Sequence, residues 1–179
     1  MSLFLATLLP GLLLLLLGLP LLLNLRSFVH SLERMPRSTT AAVIFFGAGA
    51  IWFLRAVWNL SPADFGEYRT PLTIGFAVIA VLSFKCVPDF LAVRGLCALV
   101  LMSATPLLGA AYMEYQFPQR LFLVSFVYVL IVLAIWLGAS PYRLRDFFER
   151  LFVRPGRIRA FGALLMGYGA LLTVVAFTY

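Results

Sequence analysis

The side chains able to do chemistry are few and widely scattered. Seven Asp and Glu, one His and two Cys stand among 179 residues. A lone histidine, His30, cannot supply two-histidine haem ligation within one chain, nor a His-rich metal site. Cys86 and Cys97 form no C-x-x-C and have no histidine beside them, so they read as buried thiols. No G-x-S-x-G, phosphate loop or H-E-x-x-H is present. Paired carboxylates on one face, as a metal-dependent lipid enzyme requires, are also missing from the sequence. No cofactor is therefore expected, and an enzyme is the less favoured reading. One constellation remains: Arg55 between Trp52 and Trp58, Glu114 after Tyr112, and Asp64, Glu67, Arg69 and Arg120 in nearby connecting segments. If Arg55 met Glu114 or Asp64, the cluster would offer a polar ligand a site. The plainer reading is interfacial side chains beside an aromatic belt.

The elements that must position these residues are apolar. The chain is 63% hydrophobic and 12% charged, with a mean hydropathy of +1.02, outside the range of water-soluble domains. About 20 apolar residues cross the hydrocarbon core of a bilayer. Six such stretches are read at 3–23, 40–60, 71–87, 95–115, 121–139 and 160–178. They occupy nearly the whole chain as one transmembrane domain, an all-α integral membrane fold. The first stretch lacks a basic segment before it and a small-residue cleavage site after it. It reads as a retained helix rather than a signal peptide.

The connecting loops alternate in charge. The first carries Arg26, Arg34 and Arg37 against Glu33; the third Lys85 and Arg94 against Asp89. The fifth carries Arg143, Arg145, Arg150, Arg154, Arg157 and Arg159 against Asp146 and Glu149. The second and fourth are neutral or acidic. The positive-inside rule then places loops one, three and five in the cytoplasm and both termini outside. Net charge of +7 thus reads as topology rather than nucleic-acid affinity. Thirteen of the fourteen basic residues are Arg, which suggests a GC-rich bacterial genome and a bacterial cytoplasmic (inner) membrane.

Two basic loops are also amphipathic. Leu144, Phe147, Phe148, Leu151 and Phe152 fall on one helical face, with Arg143, Arg145, Asp146, Glu149 and Arg150 on the other. Leu25, Phe28, Val29 and Leu32 repeat the device against Arg26, His30, Glu33 and Arg34. Short helices of this kind lie in the headgroup plane. Arg34, Arg94, Arg143, Arg145, Arg150, Arg154 and Arg157 are the candidate contacts to anionic lipid or a partner.

Displacing the chain on itself by 60 residues aligns Arg34, Arg94 and Arg154, then Gly49, Gly109 and Gly169, then Ala50, Ala110 and Ala170. Twice that offset aligns Gly47 with Gly167. The pattern suggests three helical hairpins, each turning at a basic corner and carrying a Gly-Ala pair on its rising helix. Gly47, Gly49, Ala50, Gly109, Ala163, Gly167, Gly169 and Ala170 are accordingly the candidate helix-packing positions, since small residues let helices approach closely in lipid.

Two functions follow from different classes. The leading expectation is a non-catalytic scaffold or accessory subunit of a larger membrane complex, with lipid and other membrane chains as partners and no nucleic acid. The alternative is a small transporter or channel with a site between hairpins near Arg55 and Glu114. That alternative draws on Pro10 and Pro20 in the first span and Pro106 in the fourth, because broken helices can free carbonyls for a transport site.

Overall fold

A computed structural model describes all residues from 1 to 179. The chain is helical throughout, without strands, and six of its helices are long and apolar enough to cross a membrane. These are α1 (Leu3–Leu22), α3 (Thr39–Trp58), α4 (Arg69–Cys86), α5 (Leu91–Ala111), α6 (Arg120–Ala139) and α8 (Pro155–Ala176). Two shorter helices lie between them, α2 (Arg26–Arg34) and α7 (Tyr142–Phe152). At 1.5 Å per residue, a helix of about 20 residues matches the ~30 Å core. Large apolar side chains are turned outward along the whole length of the spans. Leu16, Ile51 and Val81 are each 71% exposed, and no residue of α4 is buried. In water such surfaces would drive aggregation; in hydrocarbon they are the ordinary exterior. The protein is an integral, multi-pass membrane protein.

Local chemistry fixes the helix ends. Ser2 and Ser38 cap α1 and α3 through their hydroxyls, which accept from the backbone N–H of Leu5 and Ala41. Just beyond the end of α1, Asn24 takes the left-handed conformation with φ of 51°. Leu25 N–H then reaches back to Pro20 C=O and Asn24 N–H to Leu21 C=O, a Schellman closure. α8 begins at Pro155, where a missing N–H costs nothing. The helix thus starts ahead of the apolar stretch read from residue 160, and it carries Arg157 and Arg159 in its first turns. α5 likewise begins at Leu91 rather than near 95. Helical hydrogen bonding runs past the apolar window because it does not depend on apolar side chains. Pro10 and Pro20 lie within a continuous α1, and Pro106 within a continuous α5.

The chain divides into two compact units. The first comprises residues 1–34, 103–133 and 145–179. Its core joins Leu3 and Ala6 of α1, Ala104 and Ala111 of α5, and Leu123 and Val127 of α6. The second comprises residues 35–102 and 134–144. In it Ala42 packs with Leu91 and Ala92, while Val93 and Cys97 pack with Ala134. Gly95 of α5 lies directly against the backbone of Phe46 on α3, leaving no room for a side chain. Cys97 is buried, Cys86 is exposed, and both are free thiols.

Candidate functional site

The tightest packing in the first unit is a glycine seam between α1 and α8. Gly11 and Gly18 on α1, seven residues apart, face Gly169 and Gly162 on α8, also seven apart. Seven residues make almost two full turns, so each pair shares one stripe of its helix. Low numbers on α1 meet high numbers on α8, so the helices run antiparallel. The rings of Phe4 and Phe177 close one end edge to face, with centroids 5.5 Å apart. A methyl group added at Gly169 would sit 2.9 Å from Gly11 O; one at Gly162 would sit 2.5 Å from Leu22 N and 2.9 Å from Gly18 O. Backbone meets backbone here, with Leu14, Met166 and Thr173 packed beside it, and close van der Waals contact holds the pair. Ala6, Thr7, Leu172 and Ala176 complete the seam, fully buried. The hydroxyls of Thr7 and Thr173 bond to carbonyls of their own helices, at Leu3 and Gly169, leaving neither unsatisfied in a dry interface.

About a third of a turn round α8 from the seam, Ala163, Gly167 and Ala170 are exposed. Nothing lies within 4 Å of the position a side chain would take at Gly167. The remaining candidate packing positions have different surroundings. Gly49 makes ordinary contact with Leu99 and Ala98, and Gly47 and Gly109 face open space. The three glycines of the aligned column therefore occupy three environments: open, in contact, and locked in the seam.

The basic segment around α7 is electrostatically organised. Arg145 holds both acids of the segment, Asp146 at 2.7 Å and Glu149 at 3.4 Å. Its hydrogen bond to Asp146, with the carboxylate's charge, raises the guanidinium pKa further above its usual value. Arg150, Arg154 and Arg159 are left without an acidic partner. Arg157 donates to Arg150 C=O at 3.1 Å, capping the end of α7. In the second unit Arg143 lies over Trp136, 4.8 Å from the ring centroid. Phe148 stacks on Phe152, and Phe147 meets Phe161 of α8 edge to face. α7 is thereby fastened to α8 through its aromatic side. On α2 the apolar Phe28, Val29 and Leu32 are half-buried, while Arg26, His30, Glu33 and Arg34 are exposed, with His30 and Glu33 3.6 Å apart.

The polar candidates find local partners. Asp64 accepts a hydrogen bond from Ser61 Oγ at 2.8 Å, and Arg69 lies over Trp58. Arg55, exposed on α3, forms no ion pair with Asp64, and Glu67 forms none either; the chain's three ion pairs lie elsewhere. Arg55 belongs to the second unit and Glu114 to the first. Glu114 accepts from Gln116 Nε2 at 3.1 Å. Arg120, which opens α6, was not singled out as a fastener by its sequence position. Its Nη1 donates to Ala111 C=O at 2.6 Å, closing α5, while its guanidinium stacks on Tyr115 at 4.6 Å. A charged donor on a helix-terminal carbonyl contributes about 1.5–3 kcal/mol. Arg120→Gln should lower the thermal midpoint in detergent by a few degrees, whereas Arg120→Lys should retain part of the stability.

Comparison with protein-family models, curated proteins and solved structures yields no match. Two signals were available for the seam yet are easily passed over, the i, i+7 glycine spacing in the first span and its repetition in the sixth.

Proposed function

We propose that the protein is a non-catalytic membrane subunit that scaffolds or assists a larger complex in a bacterial cytoplasmic membrane. The observation that carries this reading is the open small-residue face of α8. Ala163, Gly167 and Ala170 form an exposed small-residue stripe on a helix that already packs by glycine along another stripe. Lipid provides no hydrophobic drive for helix association, so grooves that admit a second helix are what binding requires. In this reading the basic corners at Arg34, Arg94 and Arg154 face the cytoplasm as the turns of three hairpins. α2 and α7 lie at the headgroups, with their arginines among anionic lipids.

The transport reading draws on Arg55, Glu114 and the prolines. It is the weaker one because Arg55 forms no ion pair, and the clefts by Pro20, Leu25 and Phe28 and by Pro36, Phe84 and Pro88 lie at helix ends. A substrate path needs polar space at mid-span.

Gly167→Leu tests the proposal. The position is open, so the chain itself accommodates leucine, and insertion and topology should be unchanged. A helix seated on this face is displaced. Purification in lipid nanodiscs followed by mass spectrometry should show a co-purifying chain, or self-association, with wild type and its loss with Gly167→Leu. A wild type that is strictly monomeric and alone, and a variant indistinguishable from it, would overturn the subunit reading in favour of transport.

A further inference from the structure

One cleft in the second unit holds opposite charges that do not meet. It has a volume of about 170 Å³ and is lined in part by Arg37, Ser38, Thr39, Phe84, Asp89 and Leu91. It lies where α3 begins, α4 ends and α5 begins, which in a membrane protein is the depth of the headgroups. Arg37 is held over the Phe90 ring, 5.6 Å from its centroid. Asp89 makes no hydrogen bond or ion pair, and Arg37 makes none with it; all three ion pairs of the chain are elsewhere. Both charged side chains are exposed.

We infer that this cleft binds a phosphoethanolamine headgroup, with its phosphate at Arg37 and its ammonium at Asp89. The inference goes beyond the subunit reading and needs only that the spans lie in a bilayer. Three features select this chemistry. Arg37 offers a forked donor suited to phosphate oxygens. Beside it is the start of a twenty-residue helix, whose first N–H groups lack intrahelical partners. Ala41 N–H is taken by Ser38 Oγ at 3.2 Å, while the N–H of Thr39, a residue that lines the cleft, is free for an anion.

Asp89 provides the second selection. A purely anionic headgroup would place its net charge beside an unpaired carboxylate, whereas a primary ammonium donates hydrogen bonds to it. A trimethylammonium group has no N–H to donate to that carboxylate. The third feature is the apolar wall of Phe84 and Leu91 with Ala42 and Ala92, which suits the glycerol and first methylenes of a lipid. The source is therefore a membrane phospholipid rather than a soluble phosphoethanolamine ester.

Native mass spectrometry of the full chain in mild detergent provides the test. The probes are phosphatidylethanolamine, phosphatidylglycerol and phosphatidylcholine with identical acyl chains. Wild type should retain phosphatidylethanolamine in preference to both others. Arg37→Gln should reduce that retention about tenfold, the loss of one charge-assisted contact. Asp89→Asn removes no bond within the protein, so its fold is kept. It should lose phosphatidylethanolamine and gain phosphatidylglycerol, reversing their order. A merely structural role of either residue would not produce that reversal. Equal retention of the three lipids, preference for phosphatidylglycerol by wild type, or an unchanged ratio in Asp89→Asn overturns the inference. Glycerophosphoethanolamine, which has no acyl chains, separates the sources. Binding of this soluble ester without retention of the lipid would assign the cleft to a soluble ligand and overturn the membrane source.

Discussion

Gly162→Leu is expected to destroy the folded first unit, while Gly167→Leu, five residues along the same helix, leaves it intact. At Gly162 the first side-chain carbon already stands 2.5 Å from Leu22 N and 2.9 Å from Gly18 O, distances that neither backbone can relieve without parting α1 from α8. Overpacking in a well-filled core costs about 1–3 kcal/mol for extra methylenes. A leucine set against backbone should reach or exceed the top of that range. The smaller change Gly162→Ala isolates the close approach and should cost about 1–3 kcal/mol, as should Gly169→Ala on the same stripe. Gly167→Ala meets open space and should be neutral or slightly stabilising, since alanine outranks glycine in helices by up to about 1 kcal/mol. Thermal or denaturant unfolding in one detergent, followed by far-ultraviolet circular dichroism, checks the series; Trp52, Trp58 and Trp136 all lie in the second unit. Equal losses at Gly162 and Gly167 would mean that α8 does not turn its 162/169 stripe toward α1.

The contrast between neighbouring glycines also marks how far the sequence could be read. Six spans were legible because a bilayer demands about 20 apolar residues per crossing, and the helices fall on those stretches. Charged residues gather at or near the ends of the helices, as the cost of charge in hydrocarbon requires. Which stripe of a span turns inward was not legible. Leucine is as much at home against lipid as in the core, so a run such as Leu12 to Leu17 contains no inside and outside. The usual apolar-in, polar-out signal is erased, and only small residues remain informative.

Even those mislead when read by alignment rather than by helical angle. The column of Gly49, Gly109 and Gly169 placed Gly169 among the packing positions but set it beside Gly167, which points elsewhere. The partners of Gly169 are Gly11 and Leu14 on the first helix, far away in sequence. The polar candidates show the same limit. Arg55 and Asp64 share a unit, but Ser61 is closer in sequence to Asp64 and takes its carboxylate. Arg37 and Asp89 reach one cleft only because the start of α3 meets the α4–α5 turn, a long-range meeting that no spacing announces.

Phosphatase fusions should divide the loops cleanly into two sets. Alkaline phosphatase joined after Asn59, Gln116 or Tyr179 is expected to be active, and after Cys86 or Gly156 inactive, with a fluorescent protein giving the opposite pattern. The first unit already constrains part of this result. α1 and α8 are antiparallel, and Phe4 touches Phe177, so the start of the first span and the end of the last share one membrane face. Charge then chooses the face. Around Gly156, Arg145 pairs with both Asp146 and Glu149, and Arg150, Arg154, Arg157 and Arg159 have no acidic partner. Each arginine opposes transfer across the membrane, and the bias is counted over short loops such as this one. In the second loop, by contrast, Asp64 and Glu67 outnumber Arg69. The fusion at Gly156 is therefore the decisive one: active phosphatase there would invert the whole topology and carry α7 and its arginines to the outer face.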